Sequence, residues 1–578
     1  MINKTCKQCS REFIVEDEDL SFYKKISPTF AGKSYEISSP NLCPVCREQR
    51  RKVARNVKNI YKRKCDLCGK ESISIYSPDK TDIKVYCRDC WWSDKWDQLS
   101  YGQDFDFSRP FFEQFAELKK KVPAANLMNV KSENSEFTNG ADSNKNCYLL
   151  FLAGFDEDVY YGYFVDNCKS CLDLAFVNYS ELCYELVGSE RNYNVKWGKD
   201  CYDCRDSYFI DDCQNCDNCI MCSGLRHKSF YYKNKQVSKD EYSKIERELI
   251  GNLGENIKKL KAEFEEIAAS SPKKFAITFN SENCSGDHLY HSKNCYHCFD
   301  MVGCEDCQYS SGMFTTKDSY DVTGFGNPSE RIYEATNVGL GSQRSSFINF
   351  AYELSDSLYC EHCYYSSNLF GCIGLRGHKQ YCILNKQYTK EEYEALVPKI
   401  IEHMKQAGEW GEFFPYGLSA FGYNESDAMD FFPLKKEEAQ ELGAKWMEEN
   451  HDIKFSGEPY IPSENISEYS QDEKKRNEIL SGILSCEETG RPYKITPHEL
   501  LFYIKHNIPI PRKHYQTRFL ERLNKRNANK LYHRQCMNEG PSSAKATDGR
   551  CPNEFETTYA PDRKEQVYCE QCYQKSVI

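Results

Sequence analysis

Three observations predict the fold class: a multidomain chain, mainly β with helical spacers, whose duplicated, Cys-rich, β-solenoid-like middle lies between small cysteine-bearing modules at both ends. First, 32 of the 578 residues are cysteine. Near the N terminus they fall in four successive CxxC pairs, and a sparser version of that arrangement recurs near residue 570. Second, the middle is duplicated: MCSGLRHKSFYYKNKQVSKDEY (221–242) matches GCIGLRGHKQYCILNKQYTKEEY (371–393), and NKNCY (144–148) matches SKNCY (292–296). Third, Cys147, Cys168, Cys183, Cys201 and Cys219 are separated by 21, 15, 18 and 18 residues. The net charge is −11, with 41 Tyr and 33 Phe. Such aromatic content builds cores and excludes wholesale disorder. The acidity argues against a general nucleic-acid coat.

The ends come first. Cys6-x2-Cys9 faces Cys43-x2-Cys46, and Cys65-x2-Cys68 faces Cys87-x2-Cys90. Each CxxC brings two thiolates around one ion in a tight turn. Two pairs complete the tetrahedral four-sulfur shell that zinc takes in structural sites. The expected modules span 1–60 and 61–107. The first reads CKQCSREFIVEDEDLSFYKK…PNLCPVCREQRRK. In Cys6, Cys9, Phe13, Phe22, Tyr23, Cys43, Pro44, Cys46 and Arg47 it resembles a family of bacterial treble-clef zinc-binding domains. That resemblance covers about the first fifty-five residues. It implies a zinc site and no reaction.

The C-terminal region repeats both modules. At an offset of 480 residues, Cys6 falls on Cys486, Phe13 on Tyr493, Leu20 on Leu500, Phe22 on Phe502 and Tyr23 on Tyr503. After a shorter loop, Arg47, Arg51 and Arg55 correspond to Arg518, Arg522 and Arg526. Cys9, Cys43 and Cys46 become Thr489, His514 and Thr517. Residues 481–530 are therefore expected to be a degenerate treble clef without metal, held by its apolar core. Residues 531–578 match the second module, TYAPDRKEQVYCEQCY (558–573) lying over IYSPDKTDIKVYCRDCW (75–91). Cys536, Cys551, Cys569 and Cys572 are the expected ligands, with PSSAKATDGR (541–550) as a loop inserted between the first two. The expected total is about three structural Zn²⁺ ions.

Each treble-clef-like unit continues into a basic helix. Residues 47–64 hold nine Lys/Arg and one acid, and 512–534 hold eight and one. Arg47, Arg50, Arg51, Arg55, Arg518, Arg522 and Arg526 are the candidates for contact with a phosphate backbone. Pairing with an acidic patch of the chain's own middle, or with a partner protein, explains the same charge equally well.

In the middle, repeats at 131–237 and 273–388 flank a helical spacer at 238–272. Asn or Asp precedes most of the repeat cysteines, with short runs such as LAFVNY between them. A period near eighteen with Asn/Asp turns predicts a β-solenoid with an interior thiol ladder. Each repeat ends in a capping box, Ser238 with Glu241 and Thr389 with Glu392, opening a helix. The run Cys213-x2-Cys216-x2-Cys219-x2-Cys222 suggests an iron–sulfur cluster. The repeat argues against it, since Cys216 maps to Ser366 and Cys219 to Leu369. Cys284, His288, His291, Cys295, His297, Cys298, Cys304 and Cys307 have spacings that could hold zinc. Residues 389–460 are expected to form a helix and an aromatic wrap, and 461–480 an exposed acidic linker.

The expected function is a zinc-binding scaffold for a nucleic acid or protein, working through the basic faces of the end modules. The alternative is an enzyme of carbohydrate-active type on the solenoid face. Its polar candidates are Arg226, His227 and Lys228 with Arg376, His378 and Lys379, although their recurrence at one end of each repeat suits closing the fold. The whole chain is similar to large Cys-rich bacterial proteins, some of which carry a family III CoA-transferase label. No doubly wound pattern or nucleotide fingerprint supports that activity. The opening MINKTCKQCS has no apolar export signal, no run is long enough for a membrane span, and a reducing cytoplasmic setting is expected.

Overall fold

The computed structural model describes residues 1–251, 253–448, 455–539 and 550–577. The chain divides into two units. One comprises Met1–Leu127, Ala276–Glu449 and Ala528–Leu531; the other comprises Met128–Phe275, Asn450–Asn527 and Tyr532–Ile578. The N-terminal modules therefore share a unit with the second copy of the duplication. The C-terminal modules share one with the first copy.

Each unit is built on one large, mostly parallel sheet. The 128–275 segment carries eleven strands in strict sequence order, from Asn129–Val130 to Lys235–Gln236, parallel until the closing hairpin. Leu150 pairs with Gly162, Gly162 with Leu174, Leu174 with Leu186, Leu186 with Gly198, Gly198 with Ile210 and Ile210 with Cys222. Each step is twelve residues, so the period near eighteen read from the cysteine spacings is corrected. The 276–449 segment carries nine strands in the same order. Its register is less even, moving by twelve from Gly286 to Cys298 and by thirteen from Ile332 to Ser345.

A shorter rhythm underlies the ladder. Every third residue from Ser143 to Lys233 has left-handed backbone, for example Asn146, Leu149, Leu152 and Phe155. The next residue is buried at every step from Asn144 to Leu225. L-residues enter this region at a cost, so the inward side chains must hold the chain there. They do so by satisfying the backbone groups that each turn leaves unpaired. The thiols of Cys168, Cys171 and Cys204 donate to carbonyls nine residues on, Val177, Ser180 and Cys213, at 3.4–3.5 Å. Ser180, Ser189 and Asn192 accept from N–H groups twelve residues on, those of Asn192, Cys201 and Cys204. Small polar side chains thus fill the inward positions that make these bonds, cysteine being the most apolar of them, while Leu150, Val159, Leu174, Leu186 and Ile210 fill other inward positions with apolar bulk.

Helices follow the ladders. Thr389 and Glu392 form the expected capping box ahead of Lys390–Ala407, and Gly408 closes that helix in left-handed conformation. Ser238 Oγ accepts from the Glu241 N–H before Lys239–Gly251 and Leu253–Ser270. The aromatic block after residue 408 does wrap. Trp410, Phe413, Phe414, Tyr416 and Tyr423 are buried in short 3₁₀ turns and loops. Tyr416 donates to Gln8 and Gln49 donates to the Tyr423 hydroxyl, so the wrap covers the first module. The linker at 461–480 is a correction: Ser467–Gln471 and Glu473–Ser481 are helical, and Ile466, Tyr469 and Ile479 are buried in the core of their unit. Residues 541–549 of the proposed inserted loop lie outside the described residues.

Candidate metal centres

The first four-thiol group is assembled from a hairpin and a helix. Ile2–Thr5 pairs antiparallel with Glu12–Val15, and Cys6 and Cys9 occupy the turn, where Ser10 takes φ 59°. Cys43 caps the helix Pro44–Val53 and Cys46 sits in its first turn. Thiolates at a helix N terminus meet free N–H groups and the positive end of the helix dipole. Tyr61–Lys64 with Glu71–Ser74, then Arg88–Trp91 capped by Cys87, repeat this plan for Cys65, Cys68, Cys87 and Cys90. Tyr532–Gln535 with Glu554–Thr557, then Glu570–Ser576 capped by Cys569, repeat it for Cys536, Cys551, Cys569 and Cys572.

In each group all four Sγ atoms lie within 4.8 Å of one another. Cys9 and Cys43 are 3.7 Å apart, Cys68 and Cys87 3.9 Å, and Cys551 and Cys569 3.9 Å. A tetrahedral ion with sulfur at ~2.3 Å places its ligands about 3.8 Å apart, so the donor set fits. The Cys87 N–H donates to Cys65 Sγ and the Cys569 N–H to Cys536 Sγ, at 3.2 and 3.3 Å. The Cys46 thiol donates to Cys43 and pulls its pKa down to about 5, while Cys46 is pushed up. Among the described residues, no other group of three or more Cys, His, Asp or Glu side chains converges in this way.

The degenerate copy lacks the set. Cys486 Sγ lies 3.6 Å from Thr517 Oγ1, and His514 caps the helix Tyr515–Asn524 with Nδ1 accepting from the Gln516 N–H. The apolar core predicted to replace the metal is present: Leu500, Phe502, Tyr503, Ile508 and Ile510 are buried.

The candidate arginines do not form an exposed face; their contacts match the alternative of pairing within the chain. Arg47, Arg50, Arg51, Arg55, Arg518 and Arg522 are buried, and Arg526 is half-buried with its guanidinium 3.8 Å from the centre of the Phe176 ring. Arg47 and Arg51 meet Asp321 at 2.8 and 3.1 Å, and Arg50 meets Glu334 at 3.2 Å. Arg55 meets Asp427 at 3.3 Å. Arg518 and Arg522 meet Asp173 at 3.0 and 2.8 Å. The acidic patch of the chain's own middle is the partner. Asp173 and Asp321 occupy matching positions in the two repeats, which no charge count could have singled out.

The polar groups at the ends of the two parallel ladders serve a similar purpose. Arg376 lies over Trp96 at 4.7 Å and Trp91 at 5.3 Å, and Arg226 lies over Tyr573 at 5.7 Å while binding Asp212 at 2.8 Å. They anchor the second and last modules to their ladders. The central cysteines face inward: Cys213, Cys216, Cys219 and Cys222 are at most 1% exposed, and Leu369, which replaces Cys219 in the second copy, is equally buried. His288, His291 and His297 occupy left-handed corner positions, so they point away from the inward Cys295, Cys298, Cys304 and Cys307.

No protein-family model matches the chain, and no curated protein matches it. Among solved structures it matches one titled "putative acetyltransferase from Desulfovibrio desulfuricans G20", at 8% identity over 49% of this chain and 82% of that one, with a TM-score of 0.10. A likeness that low carries no argument about fold or activity. No described helix is long and apolar enough to cross a membrane.

Proposed function

We propose that the three four-thiol groups hold structural Zn²⁺, in one treble clef and two zinc ribbons. On this reading the two ladders are the coils of a β-solenoid, and the chain is a binding scaffold that presents them to a protein partner. The observation that carries the reading is the convergence of four sulfurs within 4.8 Å of one another, three times over. Cys43, Cys87 and Cys569 hold one edge of each ion from a helix N terminus, and the CxxC turns hold the other. The ion supplies cross-linking; a shell closed by four sulfurs has no position left for substrate. Burial of six of the seven arginines against carboxylates, with Arg526 half-buried over Phe176, removes the basic face that a nucleic acid would need and favours a protein partner. A reducing compartment such as the cytoplasm would keep the remaining cysteines as thiols.

Elemental analysis of protein purified under reducing conditions tests this. The expected result is about three zinc per chain without acid-labile sulfide. Iron with sulfide would contradict it, as would zinc retained after Cys46, Cys90 and Cys572 are all replaced by serine.

A further inference from the structure

Twelve cysteines make the three groups, and they differ in one respect. Cys68 is exposed, Cys9 is half-buried and the other ten are buried. Around Cys68 the whole turn is open: Asp66, Gly69 and Lys70 are exposed, and Leu67 is 37% exposed. The first group has the same turn, yet Gln8 beside Cys9 is tied to Gln49 at 2.7 Å and to the Tyr416 hydroxyl at 3.0 Å. The wrap thus shields that group. In the third group Cys551, which occupies the place of Cys68, is 3% exposed.

Access to the ligand sulfur governs two reactions of a closed four-thiolate site. An electrophile must reach a sulfur lone pair, and a competing thiophilic cation must do the same before it can share and then take the ligands. We propose that the second group is the chain's exchangeable metal site, with Cys68 as the thiolate at which soft electrophiles and thiophilic divalent cations enter. The proposal rests on the zinc reading above. With a haloacetamide, Cys68 Sγ forms a bond to the methylene carbon as iodide leaves. The resulting thioether is a poor ligand, so the ion keeps three thiolates and is readily lost. The consequence falls on one module: Trp91 and Trp96, which clasp Arg376, belong to the segment this ion ties down, as does the parallel pair Val85 and Ala124.

The test uses the zinc-loaded full chain, sub-stoichiometric iodoacetamide, peptide mass mapping and a chromogenic zinc chelator. Cys68 is expected to be alkylated about ten-fold faster than any other cysteine of the three groups. One zinc should appear per Cys68 modified, with the other two retained. First modification in another group, or release of all three ions at one rate, overturns the proposal. If the isolated chain holds no metal while Cys68 still reacts first, the zinc reading fails and the exchange proposal falls with it; if it holds zinc but Cys68 is not first, only the exchange proposal falls.

Discussion

The N-terminal module and its degenerate copy make the same dock on matching ladders, one with a four-thiol group and one without. Arg47 lies 5.1 Å over Tyr309 and binds Asp321; Arg518 lies 4.9 Å over Tyr161 and binds Asp173. Tyr309 donates to Asp19 at 3.1 Å, and Tyr161 donates to Glu499 at 2.8 Å. Phe22 stacks on Tyr320 at 3.8 Å, whereas Phe502 and Tyr503 flank Tyr184 at 6.3 and 6.0 Å. The dock is therefore a property of the arginine helix and the ladder. What differs is how the module holds itself together: the N-terminal copy adds convergent thiols to a core of Val15, Phe22, Tyr23, Tyr35 and Ile37, whereas the other has the packing of Ile495, Leu500, Ile508 and Ile510 without the thiols. On the proposed zinc reading, an ion and an apolar core are interchangeable supports for one docking surface.

The largest effect is expected at the acid between two arginines. In the degenerate copy Asp173 alone faces both Arg518 and Arg522 at under 3.1 Å. Asp173→Ala leaves buried Arg522 without this ion pair and Arg518 with only Glu499 at 4.0 Å, and should cost about 3–5 kcal/mol. Asp321→Ala should cost less, because Glu334 remains within 3.4 Å of Arg51 and 3.2 Å of Arg50. Denaturant melts of both variants check the order; equal losses would mean that the two docks do not share one logic.

A smaller, pH-dependent effect is expected inside the ladder. Burial pushes the Asp156 carboxyl up to about 8, although it accepts the Cys168 N–H at 2.7 Å. The folded state then holds a proton that the unfolded chain releases near pH 4. Its contribution is complete below about pH 4 and is lost as pH rises to about 8. Asn144 occupies the same column one turn earlier and accepts the Asp156 N–H at 2.9 Å without a charge. Asp156→Asn should leave the melting temperature unchanged at pH 4 and raise it at pH 8, by about 1–3 kcal/mol of stability. An unchanged melt at pH 8 would place the carboxyl in a wetter site.

The legible part of the sequence was chemical. Four CxxC pairs, the offset copy at Cys486 and the pair at Cys569 and Cys572 are local signals, because metal ligands keep fixed spacing. The ladder was harder to read. Intervals of 21, 15, 18 and 18 are all multiples of three, the true distance between inward positions. A search for one cysteine per turn meets only some of them, since Ser180, Ser189 and Asn192 perform the same backbone duty. The arginines left two readings open for a related reason: a charge run looks solvated until a distant carboxylate covers it, and Asp321 lies far from Arg47 in sequence. The helices at 467–481 were hidden by their many charges around three buried apolar residues.

The most direct test of interchangeable supports is hydrogen exchange on the full chain, with and without a strong zinc chelator under reducing conditions. Protection of residues 1–55 should collapse when the metal is removed, including the helix Pro44–Val53 that carries Arg47 and Arg51. Protection of 486–526 should stay unchanged, because nothing there depends on an ion. Loss of protection in both modules, or in neither, would contradict the account.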